Sequence, residues 1–155
     1  MIARDAAERK ALVVALQTSF CALPLTHVIE MMRPLPFESV AGAPPFVQGV
    51  AIIRGIPTPV VDLGFVLGTP SGSAGRFVTL RAGGRQVALS VNAVVGVRDI
   101  VGATIEGLAP LLGGASKDVI ETIGTLDEQM LMVLQEGWEL PAEVWQALTP
   151  HEAAL

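Results

Sequence analysis

The sequence predicts a mainly β protein of small antiparallel barrels with few and short helices. Three observations carry that expectation. Aromatics are scarce, with five Phe, two Trp and no Tyr in 155 residues, so Val, Leu, Ile and Ala must fill much of the interior. Branched side chains of this kind suit a pleated surface. Sixteen Gly and eleven Pro are spread along the chain, which makes for short elements and frequent turns. The apolar runs are short, about nine or ten in number at a spacing of 8 to 12 residues, the pattern of barrels rather than of alternating βαβ units. One closed sheet could hold the chain, and two small lobes sharing a core are at least as good a fit.

Residues 1–10 are polar and alanine-rich and read as a frayed or helical tail, with 151–155 as a second tail and 11–150 as the folded domain. Leu12–Leu16 is the first strand, Gln17-Thr18-Ser19 the turn and Phe20–Leu23 the return strand. Ala11 to Ile29 carries no Asp, Glu, Lys or Arg. Its strictly apolar part, Ala11–Leu16, falls short of the ~7–15 residues of a signal-peptide core, and Pro24 and His27 interrupt any spanning helix. The stretch therefore reads as strands in a cytoplasmic protein. Thr26 is placed to cap one helical turn over His27–Met31, stopped by Arg33-Pro34. Pro34–Pro45 is a long connection without a period, and ordered connections of that length are often functional.

The centre of the chain is a hairpin. Val50–Ile53 and Val60–Leu63 flank Arg54-Gly55, the turn. Pro57 and Pro59 alternate, and each removes a ladder donor, so this half of the second strand lies at an edge or a bulge. Asp62-Leu63-Gly64 opens a short helical turn that ends at Gly68. Thr69–Gly75, small and polar, is the expected boundary between lobes.

In Arg76–Val91 a Gly83-Gly84 turn sets Leu80 opposite Val87 and Val78 opposite Leu89 on an apolar face. Phe77, Thr79 and Arg81 meet Ser90, Ala88 and Gln86 on the other. Asn92–Val95 reads as a helical turn ended by Gly96, Val97–Val101 as a strand and Gly102–Asp118 as a second long loop. Val119–Leu126 and Gln129–Gln135 form a last hairpin around Asp127-Glu128. Pro141 opens a helix with Val144, Trp145 and Leu148 on one face, and Pro150 closes it.

The net charge of −5 lacks the basic footprint of a nucleic-acid binder. The single cysteine, Cys21, excludes an intramolecular disulfide and a multi-cysteine metal site; it reads as a small buried hydrophobe. His27 begins H-V-I-E, without the paired histidines of a zinc helix. Gly113-Gly114-Ala115-Ser116-Lys117 lacks the Gly-Lys-Ser/Thr of a phosphate loop, and no G-x-S-x-G is present. No spacing pairs carboxylates for acid–base work. No catalytic residue, cofactor or metal site is expected, so function falls to surfaces. Glu30 and Arg54 are isolated charges among apolar neighbours. Either they are two solvated charges that contribute little, or they pair and fix the approach of two segments. Spacing leaves both open.

Four blocks, in order, resemble the CheW-like domain of bacterial chemosensory proteins. They are Val28-Ile29-Glu30, then APPFVQGVAIIRGIPTPVVDLGFVLG from Ala43, GGRQVALSVNAVVGV from Gly83 and TIGTLDEQMLMVLQ from Thr122. The specific part is Gly49, then Arg54-Gly55, then Pro59-Val60-Val61-Asp62-Leu63, and the likeness spans Leu12 to Leu140. The resemblance implies two five-stranded β-barrels packed on a shared hydrophobic interface. It implies a non-catalytic adaptor coupling chemoreceptors to a CheA-type histidine kinase, in chemotaxis or in surface or pilus motility.

Two partners follow from the resemblance: the kinase regulatory domain, bound at one barrel's edge, and the cytoplasmic tip of a methyl-accepting chemoreceptor, received in a groove between the barrels. Such a protein is cytoplasmic and recruited to membrane receptor arrays, without inserting into the membrane. By position, Glu30 and Arg54 match a family pair that shapes the receptor-facing surface, and Val28 matches an apolar groove position. Val50, Ile56 and Pro57 are added as protein-binding candidates from the incomplete strand edge. The family often has Asp after the last apolar strand, where this chain has Gln135. A divergent scaffold or inhibitor binding one partner only, or a small β-barrel enzyme, are the alternatives.

Overall fold

The computed structural model describes residues 9–69, 74–100 and 119–153. β1 (Arg9–Ala15), β2 (Phe20–Pro24), β8 (Ala93–Ile100), β9 (Ile120–Leu126) and β10 (Gln129–Leu134) form one sheet, in the order β8-β1-β2-β10-β9. β3 (Val28–Met32), β4 (Val47–Ile53), β5 (Ile56–Asp62), β6 (Arg76–Ala82) and β7 (Arg85–Val91) form the other, in the order β3-β6-β7-β5-β4. Among the described residues two α-helices accompany them, α1 (Leu63–Val66) and α2 (Ala142–Ala153). Both sheets use the same sequence of pairings. Each is antiparallel except for one parallel seam, β2 with β10 in the first and β5 with β7 in the second. A wholly antiparallel reading misses these seams because the strands that form them are not neighbours in the chain.

Period-two alternation gives each sheet two apolar faces. Leu12, Val14 and Leu23 of the first sheet meet Val61, Val78 and Leu89 of the second in one large shared core. The opposite faces carry smaller cores, Val13, Ala22, Leu131 and Val133 in the first lobe and Ala51, Ile53, Val60, Phe77 and Ala88 in the second. The shared hydrophobic interface expected of two lobes is therefore present. Cys21 is fully buried, and burial pushes its thiol up to about 12, so it is not a thiolate at neutral pH.

The sheets are not closed barrels. β3 and β4 are the two ends of the second sheet and share no ladder. The outer edge of β4 is already occupied. Glu38, in the Pro34–Pro45 connection, donates its N–H to the Val50 carbonyl at 3.0 Å, and its own carbonyl accepts the Val50 N–H at 2.8 Å. Backbone groups bonded in this way have nothing left to offer β3. β8 and β9 are likewise unpaired with each other among the described residues.

The connection lies so close to β4 that a Cβ on Gly49 would overlap the Glu38 carbonyl and the Phe37 ring. Gly49→Ala is expected to lift this segment off β4 and cost about 1–3 kcal/mol, the usual range for overpacking. Urea denaturation would measure it.

Register within hairpins is as the turns predict. Gly83-Gly84 sets Leu80↔Val87 and Val78↔Leu89, although the second face is buried too, with Phe77, Thr79 and Ala88 inaccessible to solvent. Asp127-Glu128, both at positive φ, joins β9 to β10. Asp62 caps α1 by accepting the Phe65 N–H at 3.2 Å.

Two helical turns expected from the sequence are strands. Val28–Met32 is β3, paired with β6, and helical geometry is confined to a 3-10 turn at Leu25–His27. Asn92–Val95 is not a turn of helix, because β8 starts at Ala93 and runs through Gly96 with a shift of register beside Val13/Val14. An isolated helical turn has little stability of its own, whereas β6 and β1 each offer an open ladder.

Thr69–Gly75 does not divide the lobes, since β5 and β6 on either side of it belong to one sheet. The chain passes between sheets at Leu25–His27 and at Asn92. Residues 70–73 of that loop, residues 101–118, which include the expected Gly102–Asp118 loop, and residues 1–8 lie outside the described residues. Arg9 and Lys10 belong to β1 rather than to a tail, and α2 continues past Pro150.

Candidate protein-docking site

The β4–β5 hairpin is built by its turn. Arg54 and Gly55 both have positive φ, 51° and 77°, the geometry of a primed two-residue turn. Glycine accepts it freely, and arginine does not. Ile53 and Ile56 are the pair that the turn closes, so Ile52↔Pro57 and Val50↔Pro59 are the non-hydrogen-bonded pairs. The proline nitrogens therefore point away from β4, toward β7. β7 joins β5 only from Val60↔Ala88 onward, so no ladder donor is missed. In the gap the Gln86 side chain donates to the Thr58 hydroxyl at 2.9 Å, and that hydroxyl donates to the Ile56 carbonyl at 2.9 Å.

Glu30 reaches the hairpin from β3, the other end of the sheet. Arg54 Nε donates to Glu30 Oε2 at 2.5 Å and a terminal guanidinium nitrogen donates to Oε1 at 2.9 Å. This two-pronged fork is the strongest geometry open to such a pair. It ties together two end strands that no ladder joins. Of the two readings open from spacing, the paired one holds. The Arg54 side chain is 76% exposed and that of Glu30 26%, so solvent screens the pair and it adds little to stability. Its weight is geometric.

The hydrogen bonds from Arg54 hold the Glu30 carboxyl below its ordinary value of 4.5, while burial opposes the shift. A lowered folded value means that the pair contributes in full above 4.5 and is lost as the pH falls through the lower folded value. Carboxyl-carbon NMR of Glu30 is expected to titrate below 4.5 in the native chain, and closer to 4.5 in Arg54→Ala.

Apolar residues flank Arg54 along the hairpin. Ile56, beside the turn, and Pro57 are exposed, and Val50 is half-buried. Val50 is less available than expected, because Glu38 takes its backbone groups. Val28 is half-buried against the shared core at the start of β3. A groove of about 600 Å³ opens between the lobes, with Phe46, Phe65, Val66, Trp138, Leu140 and Pro141 among its lining, but Val28 does not line it.

Two features escaped the sequence reading. Ile52 is 62% exposed, the most exposed large apolar side chain among the described residues. Its parity opposite to Ala51 and Ile53 was the available signal. Thr79, buried on β6, bonds the Glu30 backbone, and nothing local marks it. Among the described residues no cluster of His, Cys, Asp and Glu could hold a metal ion, and no helix is long and apolar enough to cross a membrane.

The family model of the CheW-like domain matches residues 10–136. The chain belongs to the CheW-like domain family. The crystal structure of the scaffolding protein TtCheW from Thermoanaerobacter tengcongensis is similar, with a TM-score of 0.70 and 21% identity over 86% of this chain and 97% of that one. At that identity the likeness is one of fold. A search of curated proteins returned no match. Membership in the CheW-like family supports a scaffold or adaptor role in chemotaxis signalling, exercised through protein–protein contacts, and the family is not a catalytic one.

Proposed function

We propose that this chain is the adaptor that couples chemoreceptors to a CheA-type histidine kinase, with residues 11–150 acting as one unit. One observation supports the reading above the rest. The Glu30–Arg54 fork spans the open seam of the second lobe, and Ile52, Ile56 and Pro57 lie exposed beside it. A fixed charge pair rimmed by exposed apolar side chains suits docking, because the apolar atoms supply affinity and the charges fix register. In this reading Val28, Glu30 and Arg54 face the receptor tip, while Ile56 and Pro57 present exposed apolar side chains to the kinase regulatory domain, and Val50, its backbone bonded to Glu38, contributes through its half-buried side chain and not through a free strand edge. The adaptor works in the cytoplasm, recruited to receptor arrays.

Calorimetric titration of the chain with a cognate kinase regulatory domain, and separately with a receptor signalling-tip fragment, tests the proposal. Binding to both, with receptor control of kinase activity in a reconstituted mixture, is the expected result. Binding to neither would sink it, and binding to the kinase alone would point to a scaffold or inhibitor with one partner.

A further inference from the structure

We infer that Thr79 is a positioning residue for the docking pair: its buried hydroxyl clamps the Glu30 backbone and so sets where the carboxylate stands to receive Arg54. The inference rests on the docking role proposed above for that pair. Thr79 is inaccessible to solvent. Its hydroxyl accepts the Glu30 N–H at 3.1 Å and donates to the Glu30 carbonyl at 3.2 Å. One side chain thus commits both its bonding functions to one residue of the neighbouring strand.

The place where this happens matters. Val28 pairs with Leu80 and Glu30 with Thr79, so Ile29 is an extra residue in β3 and the ladder is interrupted there. Bulges of this kind re-aim a side chain. The other pairs along this ladder, Val28↔Leu80, Met31↔Val78 and Met32↔Phe77, are apolar, and valine would satisfy the strand as well as threonine does. The hydroxyl is needed only by Glu30. Without it, an N–H and a carbonyl at the bulge lose their partner, and the strand is free to settle elsewhere. A fork with two parallel bonds tolerates little displacement, and its other half is fixed on the far edge of the sheet.

Thr79→Val removes the hydroxyl and keeps the shape. The chain is expected to stay folded by circular dichroism, while the Glu30 carboxyl midpoint in an NMR titration moves up toward 4.5 and affinity for a receptor signalling-tip fragment falls on the order of tenfold. Thr79→Ser keeps the hydroxyl and is expected to restore both readouts. A Thr79→Val chain with an unchanged Glu30 midpoint would overturn the inference, because a purely structural threonine would alter stability and not the pair. Should the valine variant fail to fold, Thr79→Ala takes its place in the same titration, and an unchanged midpoint there is equally decisive. If the native chain binds no receptor tip, the docking role fails, yet the titration still decides what Thr79 does.

Discussion

Leu89→Ala is expected to destabilise the fold by about 2–5 kcal/mol, the range for emptying a fully buried leucine site. Leu89 has no solvent exposure and sits on β7, the middle strand of the second sheet. Val78 stands opposite it on β6, and Val61 beside it across the parallel seam on β5. All three belong to the shared core. Strands on both sides hold the surrounding backbone, so the cavity cannot collapse, and the upper half of the range is expected. In a chain of this length each kcal/mol lowers the thermal midpoint by about 2–4 °C. Val97→Ala, at a side chain 51% exposed, is the control and should shift the midpoint little. A near-neutral Leu89→Ala would contradict the β6–β7 register and the packing of the two lobes together.

Arg54→Glu is expected to weaken receptor-tip binding on the order of tenfold or more, through like-charge juxtaposition, while leaving the fold intact. The Arg54 side chain is three-quarters exposed, and substitutions at such sites usually change stability by less than about 0.5 kcal/mol. Backbone strain at the turn is unaltered, since glutamate gains nothing over arginine at a φ of 51°. The change sets a second carboxylate against Glu30 and unties β3 from the hairpin. Calorimetric titration gives the binding loss and thermal unfolding the stability. Unchanged affinity would remove the fork from the docking surface. A large fall in thermal midpoint would mean that the fork holds the lobe together, against its exposure.

The same fork shows how far the site was legible. Arg54 at a hairpin tip followed from two apolar runs and a glycine, and the positive φ at both turn residues bears that out. Pro57 and Pro59 correctly marked a stretch of β5 with no ladder partner on its β7 side, because a proline nitrogen has no proton to give. That Glu30 meets Arg54 did not follow from spacing, which left it open, and only the resemblance implied the pair. The helical turn expected around Glu30 was the wrong element, and a carboxylate on a helical turn gives no direction toward a hairpin 24 residues later. Thr79 was seen as one residue on a face of β6, and its bond to Glu30 crosses 49 positions. Barrel closure was also overstated, because the Pro34–Pro45 connection read as a loop and its bonds to Val50 were not foreseen.

The sequence alone determined the hairpins of this protein and, at Gly83-Gly84, the register. Arg54-Gly55, Gly83-Gly84 and Asp127-Glu128 each impose a turn whose geometry reaches only the residues on either side, so the chemistry is complete within a few positions. Tertiary structure alone decided the rest: β3 in place of a helical turn, the two parallel seams, the unclosed sheets, and the union of Glu30, Arg54 and Thr79. These depend on which open edge a segment meets after the chain has folded, and an open edge can overrule a weak local preference that no nearby residue defends.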